Sequence, residues 1–183
     1  MNQEHPLPAP SPGSRLEVSC RPEQPGDEAF LFTLYSSTRQ EELQAFGWDD
    51  TMRNSFLRMQ FEAMRQGYRS MFPRAACSII LAGGEPAGRT VINRTQQEIR
   101  LVDISLLHQY RGRGIGTGIL SDLLAEALRT GLPLRLSAMK ASRALDWYRR
   151  RGFHQTGESG PYVHLESAPH QAGLDSKPSP TTD

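Results

Sequence analysis

The sequence predicts a mixed α/β domain, a layered sheet with helices on both faces, and three observations carry that prediction. Short runs of β-branched and aliphatic residues alternate with longer stretches of helical period. Strand-like runs also follow one another across brief polar and glycine turns, which reads as a meander. Finally, a glycine-rich turn, Arg111-Gly112-Arg113-Gly114-Ile115-Gly116-Thr117-Gly118, joins an apolar run to an apolar-periodic helix.

At 183 residues the chain suits one domain with a sizeable core. A formal net charge of +1 gives no electrostatic case for nucleic acid or an anionic membrane. Cys20 and Cys77 lie far apart and match no metal spacing, so reduced thiols and no bound metal are expected. No stretch approaches transmembrane length and no apolar leader is present, so the expectation is a soluble, cytoplasmic protein. Residues 1–14 are punctuated by proline and read as a disordered leader. Residues 15–166 read as the single domain, and 167–183, rich in Pro, Ser, Thr and Gly, as a disordered tail.

Within the domain, Leu16 to Arg21 alternates apolar and polar residues like a half-buried strand. Pro25 and Asp27 mark a helix start for residues 28–40, with Phe30, Leu31, Leu34 and Tyr35 on its apolar side. Asp49 or Asp50 can cap a second helix from about Met52 to Tyr68. Its stripe of Met52, Phe56, Met59, Ala63 and Met64 is expected to face the core. The meander follows: 77–81, a turn at 83–86, 88–93, a turn at 94–97, and a strand from Ile99 to the glycine-rich turn. In the next helix Ile115, Ile119, Leu120, Leu123, Leu124, Ala127 and Leu128 recur at helical spacing. Gly131-Leu132-Pro133 stops it, and a strand runs from Leu134 to Ala138. Ser142 can cap a short helix ending near Arg151, and strands at 153–157 and 162–165 flank Gly160-Pro161.

A strand, a glycine turn and a helix place a row of unpaired N–H groups at a helix N-terminus. Those donors and the helix dipole favour an anion such as a pyrophosphate, and Arg111 and Arg113 add charge on the same turn. The dinucleotide fingerprint is excluded, because its third glycine would fall on Thr117 or Ile119. The Walker A loop is excluded because no lysine lies near the turn.

The spacing present, Arg111-x-x-Gly114-x-Gly116 between strand and helix, resembles the signature of the GNAT superfamily of acyl-coenzyme A N-acyltransferases. A second stretch, Ser142 to Phe153, resembles that family's short helix, with Ala144, Tyr148, Gly152 and Phe153 in place. Ser142 stands where the family has Asn, and Arg143 where it has Pro. The resemblance implies a mostly antiparallel, six- to seven-stranded GNAT sheet. It implies acetyl-coenzyme A as cosubstrate, with the backbone of Gly112, Arg113, Gly114, Ile115, Gly116 and Thr117 on its pyrophosphate. Leu106, Leu107 and His108 would then lie along the pantetheine arm, where the family's strand splays from its neighbour, with Ser142 as a further contact.

Amine acetylation needs a proton acceptor for the amine, a donor for the developing oxyanion and an acid for the departing thiolate. The resemblance offers Tyr148 as the acid. An N–H at Leu106 or Leu107 is the expected oxyanion donor, and Asp103 is a candidate base or a structural carboxylate. Arg39, Glu42, Trp48 and Tyr68 are candidate contacts to a small-molecule or peptide amine, because in this family the N-terminal helices flank the acceptor. Arg143, Arg149, Arg150 and Arg151 form a basic cluster that either solvates a helix face or reaches a coenzyme phosphate. The reading is therefore an N-acetyltransferase working by direct attack in a ternary complex, in which a homodimer is possible. The alternative is an acyl-coenzyme A sensor or assembly protein on the same fold, without turnover.

Overall fold

The computed structural model describes residues 16–44, 47–142 and 144–168, with the side chains of 40–44 left out. Along the chain come β1 (Val18–Pro22), α1 (Glu28–Gln44), α2 (Asp50–Met71), β2 (Ala76–Ala82), β3 (Glu85–Arg94) and β4 (Ile99–Leu106). Then follow α3 (Ile115–Thr130), β5 (Leu134–Met139), α4 (Ala144–Arg149), β6 (His154–Ser159) and β7 (Tyr162–Ser167). The expected leader at 1–14 lies outside the described residues, as does the expected tail from 169 onward. β7 itself runs to Ser167, which pairs with Leu134.

The strands form one seven-stranded sheet in the order β1-β2-β3-β4-β5-β7-β6. All neighbours are antiparallel except β4 and β5, which α3 joins as a crossover, the connection a parallel pair requires. That parallel ladder is short. Ile99, Arg100 and Leu101 pair with Leu134, Arg135 and Leu136, and there it stops, although β4 continues to Leu106 and β5 to Met139. The two strands therefore part, leaving one edge of β4 open from Val102 onward.

Each face of the sheet is covered by a different pair of helices. α3 and α4 bury Leu120, Leu123, Ala127, Leu145 and Tyr148 against Ile99, Leu101, Leu134, Leu136, Val163 and Leu165. On the other face Leu31 of α1 and Phe61 of α2 close over Ile79, with Tyr35 and Met64 at the margin. The N-terminus of α2 is capped as expected, the Asp49 carboxylate accepting from the Met52 N–H at 2.8 Å. The stripe expected on α2 is corrected: of its members Met64 packs on the core, but Met52 and Met59 are 54% and 58% exposed, and the buried residues are Leu57 and Phe61. Leu57, Phe61, Met64 and Tyr68 also recur at helical spacing, and this stripe, half a turn away, carries the aromatic ring that α1 encloses. On α3, Leu128 belongs to the apolar repeat yet is 58% exposed, because it lies at the far edge of the stripe from Leu123 and Ala127.

One irregularity decides the chemistry of β4. The β3–β4 register slips between Val91 and Ile92, which pair with Asp103 and Leu101, so Val102 is an extra residue. Strict alternation would set Asp103 and Ser105 on the same face as Leu101, under α3. The bulge turns them over, so that Ile104 and Leu106 pack toward α3 while Asp103 and Ser105 point to α1 and α2.

Candidate active site

The glycine-rich turn leaves β4 through a short 3-10 turn, His108–Tyr110, and enters α3 at Ile115. Gly112 (φ 72°) and Gly114 (φ 82°) hold the left-handed backbone that brings the chain round into the helix. The N–H groups of Ile115, Gly116 and Thr117 have no intrahelical acceptor, being the first turn. Packing within the chain does not account for the next two glycines. A Cβ at Gly116 would meet only Ile104 Cδ1 at 3.9 Å, and one at Gly118 would meet nothing within 4 Å. Each glycine costs the helix roughly 1 kcal/mol relative to alanine.

Cations gather at this helix end, the reverse of what a helix dipole favours unless an anion sits among them. The Arg111 Nε donates to Leu106 O at 2.9 Å, tying the turn to the end of β4. Arg113 lies over the Tyr110 ring. Arg151 reaches over from the end of α4: it stacks on Trp147, 4.3 Å from the ring centroid, and donates to Thr117 Oγ1 at 3.3 Å. Within the basic cluster Arg149 instead pairs with Asp146 (3.1 Å), and Arg143 lies outside the described residues. Arg151 is the member of the cluster that touches the first turn of α3.

Of the two N–H groups expected as oxyanion donors, that of Leu107 is already engaged by Ala87 O at 2.9 Å. Successive N–H groups on a strand point to opposite sides, so the Leu106 N–H points away from β3, into the gap beyond the β4–β5 ladder. The His108 side chain is exposed on the 3-10 turn. Ser142 sits in the β5–α4 turn, where its Oγ accepts from the Ala144 N–H at 3.1 Å.

On the opposite face a cavity of about 110 Å³ opens between α1, α2 and the sheet. Tyr35, Arg39, Tyr68, Arg89, Asp103 and Ser105 are among its lining residues. Burial pushes the Asp103 carboxyl above its ordinary range, against the opposing pull of the Arg89 charge, the Ser105 hydroxyl and the Ile104 N–H. Ser105 Oγ donates to Asp103 Oδ1 at 3.1 Å. Tyr68 is pushed up to about 12, chiefly by burial and then by the Asp103 charge.

Tyr148 lies on the α3 side, 7% exposed, with its ring edge-on to Trp147 (4.8 Å) and Phe153 (5.6 Å). It too is pushed up to about 12, by burial first and by the Asp103 charge second. The Asp103 charge thus acts on this phenol from the opposite face of the sheet, where β4 and β5 no longer pair. At neutral pH both tyrosines remain protonated donors.

The structure brings together Asp103, Arg39 and Tyr68 around one cavity, and Leu106, Arg111 and Gly112 to Thr117 along the open edge of β4 and the start of α3. Trp48 is not among the residues lining that cavity; its ring stands on Phe56 at 5.1 Å. Glu42 lies in α1, and its side chain falls outside the described residues. Two side chains were not singled out from sequence as site residues in their own right. Arg89 is a lone charge inside an otherwise apolar strand, a signal visible in the sequence, and Arg151 hid among three other arginines.

The sheet thus splits beside a helix N-terminus, with a buried carboxylate at the split. The acetyltransferase (GNAT) domain profile matches residues 37–168, and the chain belongs to this family of acetyltransferases. Among solved structures, PaiA N-acetyltransferase of Thermoplasma acidophilum in complex with coenzyme A is 16% identical with a TM-score of 0.61, covering 83% of this chain and 99% of that one. The ribosomal-protein-S18-alanine N-acetyltransferase of Escherichia coli is 17% identical with a TM-score of 0.56, covering 88% and 99%. An acetyltransferase of Thermus thermophilus is 18% identical with a TM-score of 0.58, covering 83% and 96%. These likenesses show the fold. A search of curated proteins finds no match. Among the described residues no group of three or more His, Cys, Asp or Glu could hold a metal ion, and no helix is long and apolar enough to cross a membrane.

Proposed function

We propose that the protein moves an acetyl group from acetyl-coenzyme A to an amine held in the α1/α2 cavity, by direct attack with both substrates bound. The observation that carries this reading is the first turn of α3, where among the described residues only Ile104, at 3.9 Å, approaches the space above Gly116 and none that above Gly118. Exposed N–H groups and three guanidiniums surround that room, which suits a pyrophosphate. A coenzyme A complex of a protein with the same fold agrees with it.

When bound, acetyl-coenzyme A supplies an acyl thioester already activated toward amines. The chain's own groups do the rest. The Leu106 N–H, directed into the β4–β5 gap, donates to the carbonyl oxygen that gains charge. Asp103, its basicity raised by burial, takes the proton from the attacking nitrogen, directly or through one water. Tyr148 donates to the departing sulfur. A phenol at about 12 is a weak acid beside a thiol of about 8.5. Once Asp103 has taken up a proton, however, its charge no longer raises Tyr148, so the base step prepares the acid step.

The test is thiol release from acetyl-coenzyme A across a panel of amines, for the parent, Asp103→Asn and Tyr148→Phe, with coenzyme affinity measured by calorimetry. We expect kcat to fall roughly 10²- to 10⁴-fold in Asp103→Asn while coenzyme affinity holds. Full activity in both variants would overturn the assigned roles, and absence of coenzyme binding would overturn the cradle. Tight binding with no release from any amine would instead support the sensor.

A further inference from the structure

Resting on that reading of the site, we propose that the acceptor is an amino acid, whose carboxylate is gripped by Arg89 while its amino group faces Asp103. Arg89 is 5% exposed, yet its Nε has no hydrogen-bond partner. It stands in a long ion pair with Glu23 Oε2, 3.7 Å away, and that oxygen is likewise buried without a hydrogen bond. Glu23 is already engaged through its other oxygen, which accepts from Arg65 at 3.2 Å. A guanidinium withdrawn from water needs its donors satisfied, and the planar, two-pronged partner it fits best is a carboxylate. The Tyr68 ring, 5.7 Å from the guanidinium carbon, supplies only a cation–π contact.

The register sets the spacing. Arg89 pairs across the ladder with Ser105, and Asp103 pairs with Val91, so Arg89 and Asp103 are diagonal neighbours on the face under α1. Diagonal side chains start roughly 7–8 Å apart. Both line the same cavity, and among the described residues no ion pair within 4 Å joins them; Asp103 is bonded to Ser105 instead. A positive and a negative group held apart in one cavity match a zwitterion laid in the opposite sense, ammonium on Asp103 and carboxylate on Arg89. The cavity, about 110 Å³, takes the backbone of an amino acid and leaves its side chain toward the mouth. Arg39 lines the same wall, so a polyamine would bring its second cation toward guanidiniums.

The experiment is thiol release from acetyl-coenzyme A by the unaltered protein, using matched acceptors. Each amino acid is set beside its carboxamide and its decarboxylated amine (alanine, alaninamide, ethylamine), and spermidine serves as the polycation. Amino acids should be used at least about tenfold better in kcat/KM than their partners. In Arg89→Gln the ratio between acid and amide should collapse toward one, and in Arg89→Lys it should be intermediate. The substrate series itself needs no variant, so the outcome does not depend on a buried substitution folding. Amides, simple amines or spermidine used equally well or better would overturn the proposal and leave acetyl transfer standing. Coenzyme binding without thiol release for any acceptor would overturn both.

Discussion

The two faces of β4 are built on different principles. On the α3 side the proposed coenzyme groups are mostly backbone: the N–H of Leu106, the first turn of α3 and the left-handed Gly112 and Gly114. On the α1/α2 side they are side chains, Asp103, Arg89, Arg39 and Tyr68, drawn from separate elements. A backbone site asks of its sequence only small residues at fixed spacing, so one short stretch specifies it. A side-chain site asks that distant helices and strands arrive in register, and the same scaffold can then change acceptor without changing cradle.

The seam between the two sides offers the harshest test of this contrast. Gly88 lies opposite Leu106, and a Cβ there would stand 2.2 Å from Ser105 O and 3.2 Å from Leu106 Cα. Backbone atoms cannot swing aside, so Gly88→Ala must force β3 from β4. We expect a loss of more than about 4 kcal/mol in chemical denaturation. A near-native variant would mean that the two sides are joined less rigidly than the ladder implies.

A second comparison pairs two positions of α3. Leu120→Ala, on its fully buried face, should cost about 2–5 kcal/mol of stability while the folded fraction binds coenzyme A normally. Gly116→Asp, one turn earlier and facing open space, should leave the melting temperature nearly unchanged and weaken coenzyme A at least about 100-fold in calorimetry, roughly 2.7 kcal/mol. Equal affinity in Gly116→Asp would show that the first turn does not face the ligand.

The smallest effect probes the link across β4. The ionised Asp103 carboxylate raises Tyr148, so Asp103→Asn should lower the ionisation of Tyr148 below about 12. It is read as tyrosinate absorbance against pH, with Tyr148→Phe on the same background subtracted. An unchanged titration would separate the carboxylate from the phenol and remove the coupling between base and acid steps.

The order of elements, the strand–glycine–helix turn and the short α4 were legible because hydrophobic period, caps and glycine spacing are local properties of the chain. The glycine-rich turn proposed as the cradle was legible as a local structure for the same reason. Four features lay beyond sequence. The extra residue at Val102 moves Asp103 from the α3 face to the α1/α2 cavity, and it exists only because β3 pairs with β4 in that register. The core stripe of α2 was misread because two apolar stripes share that helix, and only packing against α1 and β2 selects Leu57 and Phe61. The open edge of β4 arises where a parallel ladder ends after Leu101; Val102 to Leu106 carry no local signal for it, and only the family resemblance implied it. Arg151, rather than Arg149 or Arg150, reaches α3 because the end of α4 turns it onto Trp147 and Thr117. Sequence by itself thus determined which local structures form, the strand–glycine–helix turn among them. Tertiary structure alone decided which side chains meet, because register, bulges and helix packing join residues that the chain keeps far apart.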